Sequence, residues 1–93
     1  MNEILIMYGK IFDMQLKHTM LLGGIDGFID GGKTSKTNIK NLIQSCRIRF
    51  LNDYKQVEEY AIEIGYPHDI RYIFGEQNLH YFCNEYNKRK RCL

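Results

Sequence analysis

From Thr34 to Ile64 the chain runs for thirty-one residues without a Gly or a Pro, the two residues that most readily end a helix. Within this stretch Ile39, Leu42, Ile43, Cys46, Phe50, Tyr54, Val57, Ala61 and Ile64 recur at steps of one, three or four. At about 100° per residue all nine fall inside an arc of about 120°, one face of a helix. Gly32 stands before the stretch, and Gly65-Tyr66-Pro67 closes it with a Gly just past the last turn. The spacing predicts one long helix, or a helix pair broken near Asn52-Asp53, where Asp53-Tyr54-Lys55-Gln56 resembles a capping box. The rest of the chain is expected to fold against its apolar stripe.

In front of the helix, six of the eight glycines lie in the first 32 residues, the mark of a turn-rich unit. Phe12, Met14, Leu16, His18, Met20 and Leu22 alternate with Asp13, Gln15, Lys17, Thr19 and Leu21, a period of two. That pattern predicts a strand with one buried face. Glu3 to Tyr8 can pair with it through Gly9-Lys10, and Gly23-Gly24 offers a turn into a short strand over Ile25–Ile29. A helical reading of residues 3–22 competes, because Ile4, Tyr8, Ile11 and Phe12 share a face.

Behind the helix, Ile70, Tyr72 and Phe74 alternate, Gly75-Glu76-Gln77-Asn78 is turn-like, and Leu79–Cys83 is rich in aromatics. This predicts a C-terminal β-hairpin. A final helix with Leu79, Phe82, Cys83 and Tyr86 on one face is the competing reading. The expected fold is therefore α+β, an N-terminal β-meander packed on a long central helix and followed by a hairpin. Residues 1–93 make a single small domain on this reading, with 87–93 a mobile basic tail.

Charge is unevenly laid out under a net +2. Lys33, Lys36, Lys40, Arg47, Arg49 and Lys55 oppose only Asp53, a basic middle. Glu58, Glu59, Glu63 and Asp69 then follow with no Lys or Arg among residues 58–69, and Lys88, Arg89, Lys90 and Arg91 end the chain. Such a dipolar chain is not a uniformly cationic nucleic-acid binder. Three scattered cysteines fit a reducing compartment, and no apolar run approaches the ~20 residues that cross a bilayer. A soluble cytoplasmic protein is the expectation. Ile, Asn, Lys and Tyr make 34 of the 93 residues, the bias of AT-rich coding found in low-GC bacteria, their phages and viruses.

Several motifs invite a chemical reading, and each breaks down at a named residue. Gly27 to Thr34 satisfies the G-x-x-x-x-G-K-[ST] pattern of a phosphate-binding loop, with Phe28 and Ile29 too bulky for its tight curvature and Asp26 and Asp30 set to repel phosphate. The stretch Leu22 to Gly32 resembles a degraded LAGLIDADG motif of homing endonucleases. Gln56 to Gly65, with Tyr60-Ala61 and Ile64-Gly65, is similar to a helix those proteins carry downstream, and with it the likeness touches about a third of the chain. It puts Gly32 or Phe28 where the family's metal-binding acid stands, so no nuclease activity carries over. Val57 to Phe74 has the Ala-x-x-x-Gly of a helix-turn-helix, with Arg71 falling on an inward position. His68, His80, Cys83 and Cys92 are not arranged as the two close pairs that structural zinc prefers. No catalytic residues, metal or cofactor are expected, and His18 reads as a core residue.

Six tyrosines crowd the back half among charges of both signs. Tyr and Arg recur at binding hot spots because they bury much area at low entropic loss. The expected activity is binding without catalysis, with a larger protein or ribonucleoprotein as partner and Tyr54, Tyr60, Tyr66, Arg71, Tyr72, Tyr81 and Tyr86 as anchors. In composition the chain looks like the small proteins of phages and mobile elements that inhibit host defence, anti-CRISPR proteins among them. The alternative is a nucleic-acid-binding regulator using Lys33, Lys36, Lys40, Arg47, Arg49, Lys88, Arg89, Lys90 and Arg91.

Overall fold

Among residues 2–93, which a computed structural model describes, every regular element is a helix. Helix α1 spans Glu3–Gly31, α2 spans Lys36–Glu63, α3 is the single turn Arg71–Phe74, and α4 spans Glu76–Arg91. The expected α+β fold is thereby corrected, since the meander is α1 and the hairpin is α3 with α4. The central stretch is one unbroken helix, and its stripe is the core face of α2. Ile39, Ile43, Cys46, Phe50, Tyr54, Val57 and Ala61 are buried along it.

The period of two in residues 12–22 has a helical cause. Met14, His18 and Leu22 lie four apart and are buried; Phe12, Leu16 and Met20 also lie four apart and are exposed. Two apolar stripes on opposite faces of one helix, offset by two residues, read in sequence as strand alternation. The competing final helix of Leu79, Phe82, Cys83 and Tyr86 prevails in α4, and the alternation of residues 70–74 has the same helical cause. Ile70 and Phe74 turn inward one helical turn apart while Tyr72 points away, and Phe82 and Tyr86 repeat the spacing in α4.

Capping sets the boundaries. Asn2 Oδ1 accepts from the Ile4 amide at 2.9 Å at the start of α1, and Ser35 Oγ accepts from the Asn38 amide at 3.2 Å at the start of α2. Gly65, at φ 73°, ends α2. Around it the Tyr66 amide donates to the Ala61 carbonyl at 2.9 Å and the Gly65 amide to the Ile62 carbonyl at 3.0 Å, the paired bonds of a Schellman motif.

Helices α1 and α2 form an antiparallel hairpin joined by residues 32–35. Helix α4 lies along α2 and touches α1, so that Phe50, Phe74, Phe82 and Tyr54 pack ring on ring between α2 and the α3–α4 arm. The body is drawn out to 47 × 22 × 16 Å, with a radius of gyration of 15.1 Å. Gly65→Ala forces a Cβ into left-handed backbone, a penalty of about 1–2 kcal/mol. The thermal midpoint should fall by about 4–16 °C with helix content unchanged, measurable by circular dichroism.

Candidate functional site

The three long helices meet at His18, which is fully buried, and sequence periodicity placed it on an apolar face with no hint of its partners. Its Nδ1 lies 2.7 Å from the Tyr86 hydroxyl of α4, and its Nε2 lies 2.8 Å from Asp53 Oδ2 of α2. Lys17 Nζ reaches the same carboxylate oxygen at 3.0 Å. A neutral imidazole satisfies all three groups: Tyr86 O–H donates to Nδ1, and Nε2–H donates to Asp53. Burial pushes the His18 pKa below 6.5, against the pull of Asp53. Burial raises Asp53, but the hydrogen bonds from His18 and Lys17 outweigh it and hold the carboxyl below its ordinary range.

Hydroxyl, imidazole and carboxylate in a row have the connectivity of a nucleophile relay. Their surroundings oppose that role. Tyr86 is 0% exposed, edge-on to His18, and burial drives its hydroxyl pKa upward, the reverse of activation. The arrangement is a polar clamp between helices. A second clamp joins α4 to α1, where Arg89 Nε and Nη2 meet the two Asp26 carboxylate oxygens at 2.7 and 2.9 Å and Nη1 meets Glu85 at 3.1 Å.

These contacts sort the expected anchors. Tyr54 and Tyr86 belong to the core, and Tyr60 lies half-buried beneath Lys10 Nζ at 5.1 Å from its ring centroid. Tyr81 is half exposed on α4 against Phe82. Tyr66, Arg71 and Tyr72 come together on the knuckle between α2 and α4, where His68 stands between the two tyrosine rings at 5.8 and 5.4 Å. Tyr72 is 82% exposed. Asp69 holds Arg71 through both carboxylate oxygens, at 2.9 Å from the amide and 2.8 Å from Nη2. Interaction with the Tyr8 side chain of α1 raises the Tyr66 hydroxyl pKa above its ordinary value. The sequence did not single out His68 as an anchor; only its place two residues from Tyr66 and four from Tyr72 hinted at it.

The basic residues gather at the other end. Lys33, Lys36 and Lys40 flank the start of α2, and Lys90 Nζ bonds Gln44 Oε1 at 3.3 Å, which brings the last turn of α4 beside them. Arg89 is taken by its clamp, and Arg47 is half-buried. Arg49 lies farther along α2, and Lys88 and Arg91 are exposed on α4. Residues 27–34, the would-be phosphate loop, are the last turn of α1 and its cap, with no strand before them. The would-be recognition helix is the four-residue α3. Among the described residues no three His, Cys, Asp or Glu side chains group as a metal site, and no helix is long and apolar enough to cross a membrane.

Comparisons with protein-family models, curated proteins and solved structures find no match for this chain.

Because His18 is neutral in the fold and protonates more readily when unfolded, the unfolded chain binds more protons below pH 6.5. Stability should therefore fall with pH from about 6.5 downward. Each tenfold gap in proton affinity is worth ~1.4 kcal/mol. A His18→Gln variant should melt lower at pH 7.5, yet show a flatter midpoint between pH 7 and 5 than the parent, read by thermal denaturation across a buffer series.

Proposed function

We propose that this protein acts by binding, occupying and modulating a larger protein or ribonucleoprotein through the knuckle between α2 and α4. The observation that carries this reading is the ladder of Tyr66, His68 and Tyr72 beside a braced Arg71, with the outermost ring almost wholly in solvent. Rings held against one another lose little freedom on docking, so contact area turns into affinity with a small entropic loss. Size and AT-biased composition favour a partner in the defence machinery of a bacterial host, with a CRISPR ribonucleoprotein as the first to try. In a plasmid-interference assay the parent should restore transformation. Tyr72→Ala and Arg71→Ala should weaken binding to the partner by about tenfold or more each, the scale of hot-spot truncation, with melting unchanged. Equal inhibition by parent and Tyr72→Ala would discard the knuckle as the docking site.

A second reading rests on the basic end. Lys33, Lys36, Lys40, Lys90 and Arg91 sit on the side of the molecule opposite the acidic Glu58, Glu59 and Glu63, a polarity that favours docking end-on to a phosphate backbone. About four phosphate contacts would make the logarithm of affinity for generic duplex fall with a slope near −4 against the logarithm of salt concentration. Gel-shift titrations from 25 to 200 mM salt measure it, and Lys36→Gln with Lys40→Gln should reduce the slope by about two.

A further inference from the structure

Helix α1 carries a second apolar face that no described residue covers. Leu5, Gly9, Phe12, Leu16, Met20, Gly23 and Gly27 fall within an arc of about 80°, on the side opposite the core residues Met7, Ile11, Met14, His18 and Ile25. No charged residue interrupts that arc between Leu5 and Gly27. Leu5, Phe12, Leu16 and Met20 are each 50–67% exposed. A helix apolar on both faces is normally buried on both.

The glycines point the same way. A Cβ added at Gly9, Gly23 or Gly27 would meet nothing within 4 Å, so packing inside the chain does not require them. Each nevertheless weakens the helix by about 0.5–1 kcal/mol relative to Ala. Bare backbone on an exposed helix face allows another helix to come close.

The pattern is symmetric about Leu16, with members 4, 7 and 11 residues away on either side. We infer that a second copy of this chain covers the face, its α1 running antiparallel across the first. A two-fold axis at Leu16 then sets Leu16 on Leu16, Phe12 on Met20, Gly9 on Gly23 and Leu5 on Gly27. Large residues meet at the centre, bare backbones meet midway, and a leucine meets a glycine at each end. Such self-complementarity is what an isologous interface demands.

Area is consistent with a second copy. The stripe is about 33 Å long and ~11 Å wide, roughly 350 Å² of face on each copy. The chain exposes 6306 Å², whereas a folded monomer of 11.1 kDa is expected to expose about 5,700 Å². With its flanks the contact reaches about 1,000 Å² in total, below the ~1,200–2,000 Å² of stable interfaces and in the class of weak, reversible association.

Sedimentation velocity from 5 to 500 µM should show a monomer passing to a dimer. Leu16→Glu, which places like charges on the axis, should shift the midpoint by at least tenfold while helix content and melting of the monomer stay put. Gly23→Ala should move the two readouts in opposite directions, raising monomer melting and weakening dimerisation. In a Cys92→Ser background Leu16→Cys should cross-link under mild oxidation and Leu5→Cys should not, because the two Leu5 positions lie about 33 Å apart. A monomer throughout the range overturns the inference, as does a dimer untouched by Leu16→Glu, or cross-linking through Leu5→Cys as efficient as through Leu16→Cys. A solution monomer that co-sediments with phosphatidylcholine vesicles assigns the face to lipid and overturns it equally.

Discussion

A neutral imidazole sealed where three helices converge is the constraint on which the architecture depends. His18 can be buried only because Tyr86 and Asp53 each complete one side of the ring. An imidazole deprived of either partner would leave a polar nitrogen in an apolar interior, a penalty of about 1–3 kcal/mol on a fold with little surplus. The clamp therefore fixes rotation of α1, registry of α2 and seating of α4 together. Aromatic rings of α2, α3 and α4 then fill the space around it, with Phe50 5.0 Å from His18 and 5.1 Å from Phe82.

Charge follows from this seating. With α4 locked beside the start of α2, its basic end joins Lys33, Lys36 and Lys40, while Glu58, Glu59 and Glu63 collect where α2 finishes. The helix ends oppose that arrangement at α2, which starts among lysines and finishes among glutamates, the reverse of what its dipole favours. Neither end of α2 carries a charge that its dipole would favour, with no acidic residue in the first turn and no basic one in the last. That mismatch supports reading the charges as outward-looking.

The central helix was legible because its stripe has one meaning. Nine apolar positions at steps of one, three or four, with no breaker, admit no strand of ordinary length. The flanking regions failed for a specific reason in each case. In α1 two apolar faces interleaved to imitate a strand, and glycines that usually mark turns sat in mid-helix at Gly9, Gly23 and Gly24. After Pro67 the aromatic richness of residues 70–83 mimicked strand propensity, although Ile70, Phe74, Phe82 and Tyr86 carried a four-residue step. Of the expected anchors, Tyr66, Arg71 and Tyr72 were placed on one surface, whereas Tyr54 and Tyr86 went to the core. Aromatic content alone does not separate those fates; their position relative to the helical stripe does.

The contacts that tie α4 to α1 have a consequence for synthesis. His18, Asp26 and Asp53 leave the ribosome well before Tyr86 and Arg89, so the early hairpin carries a buried-type imidazole and an unanswered carboxylate until α4 emerges. A nascent hairpin of this kind stays loose and open to water, and tightens only when its last helix docks. Emergence of α4 thus works as the trigger for locking, and a chain cut before it is left without the partners of His18 and Asp26.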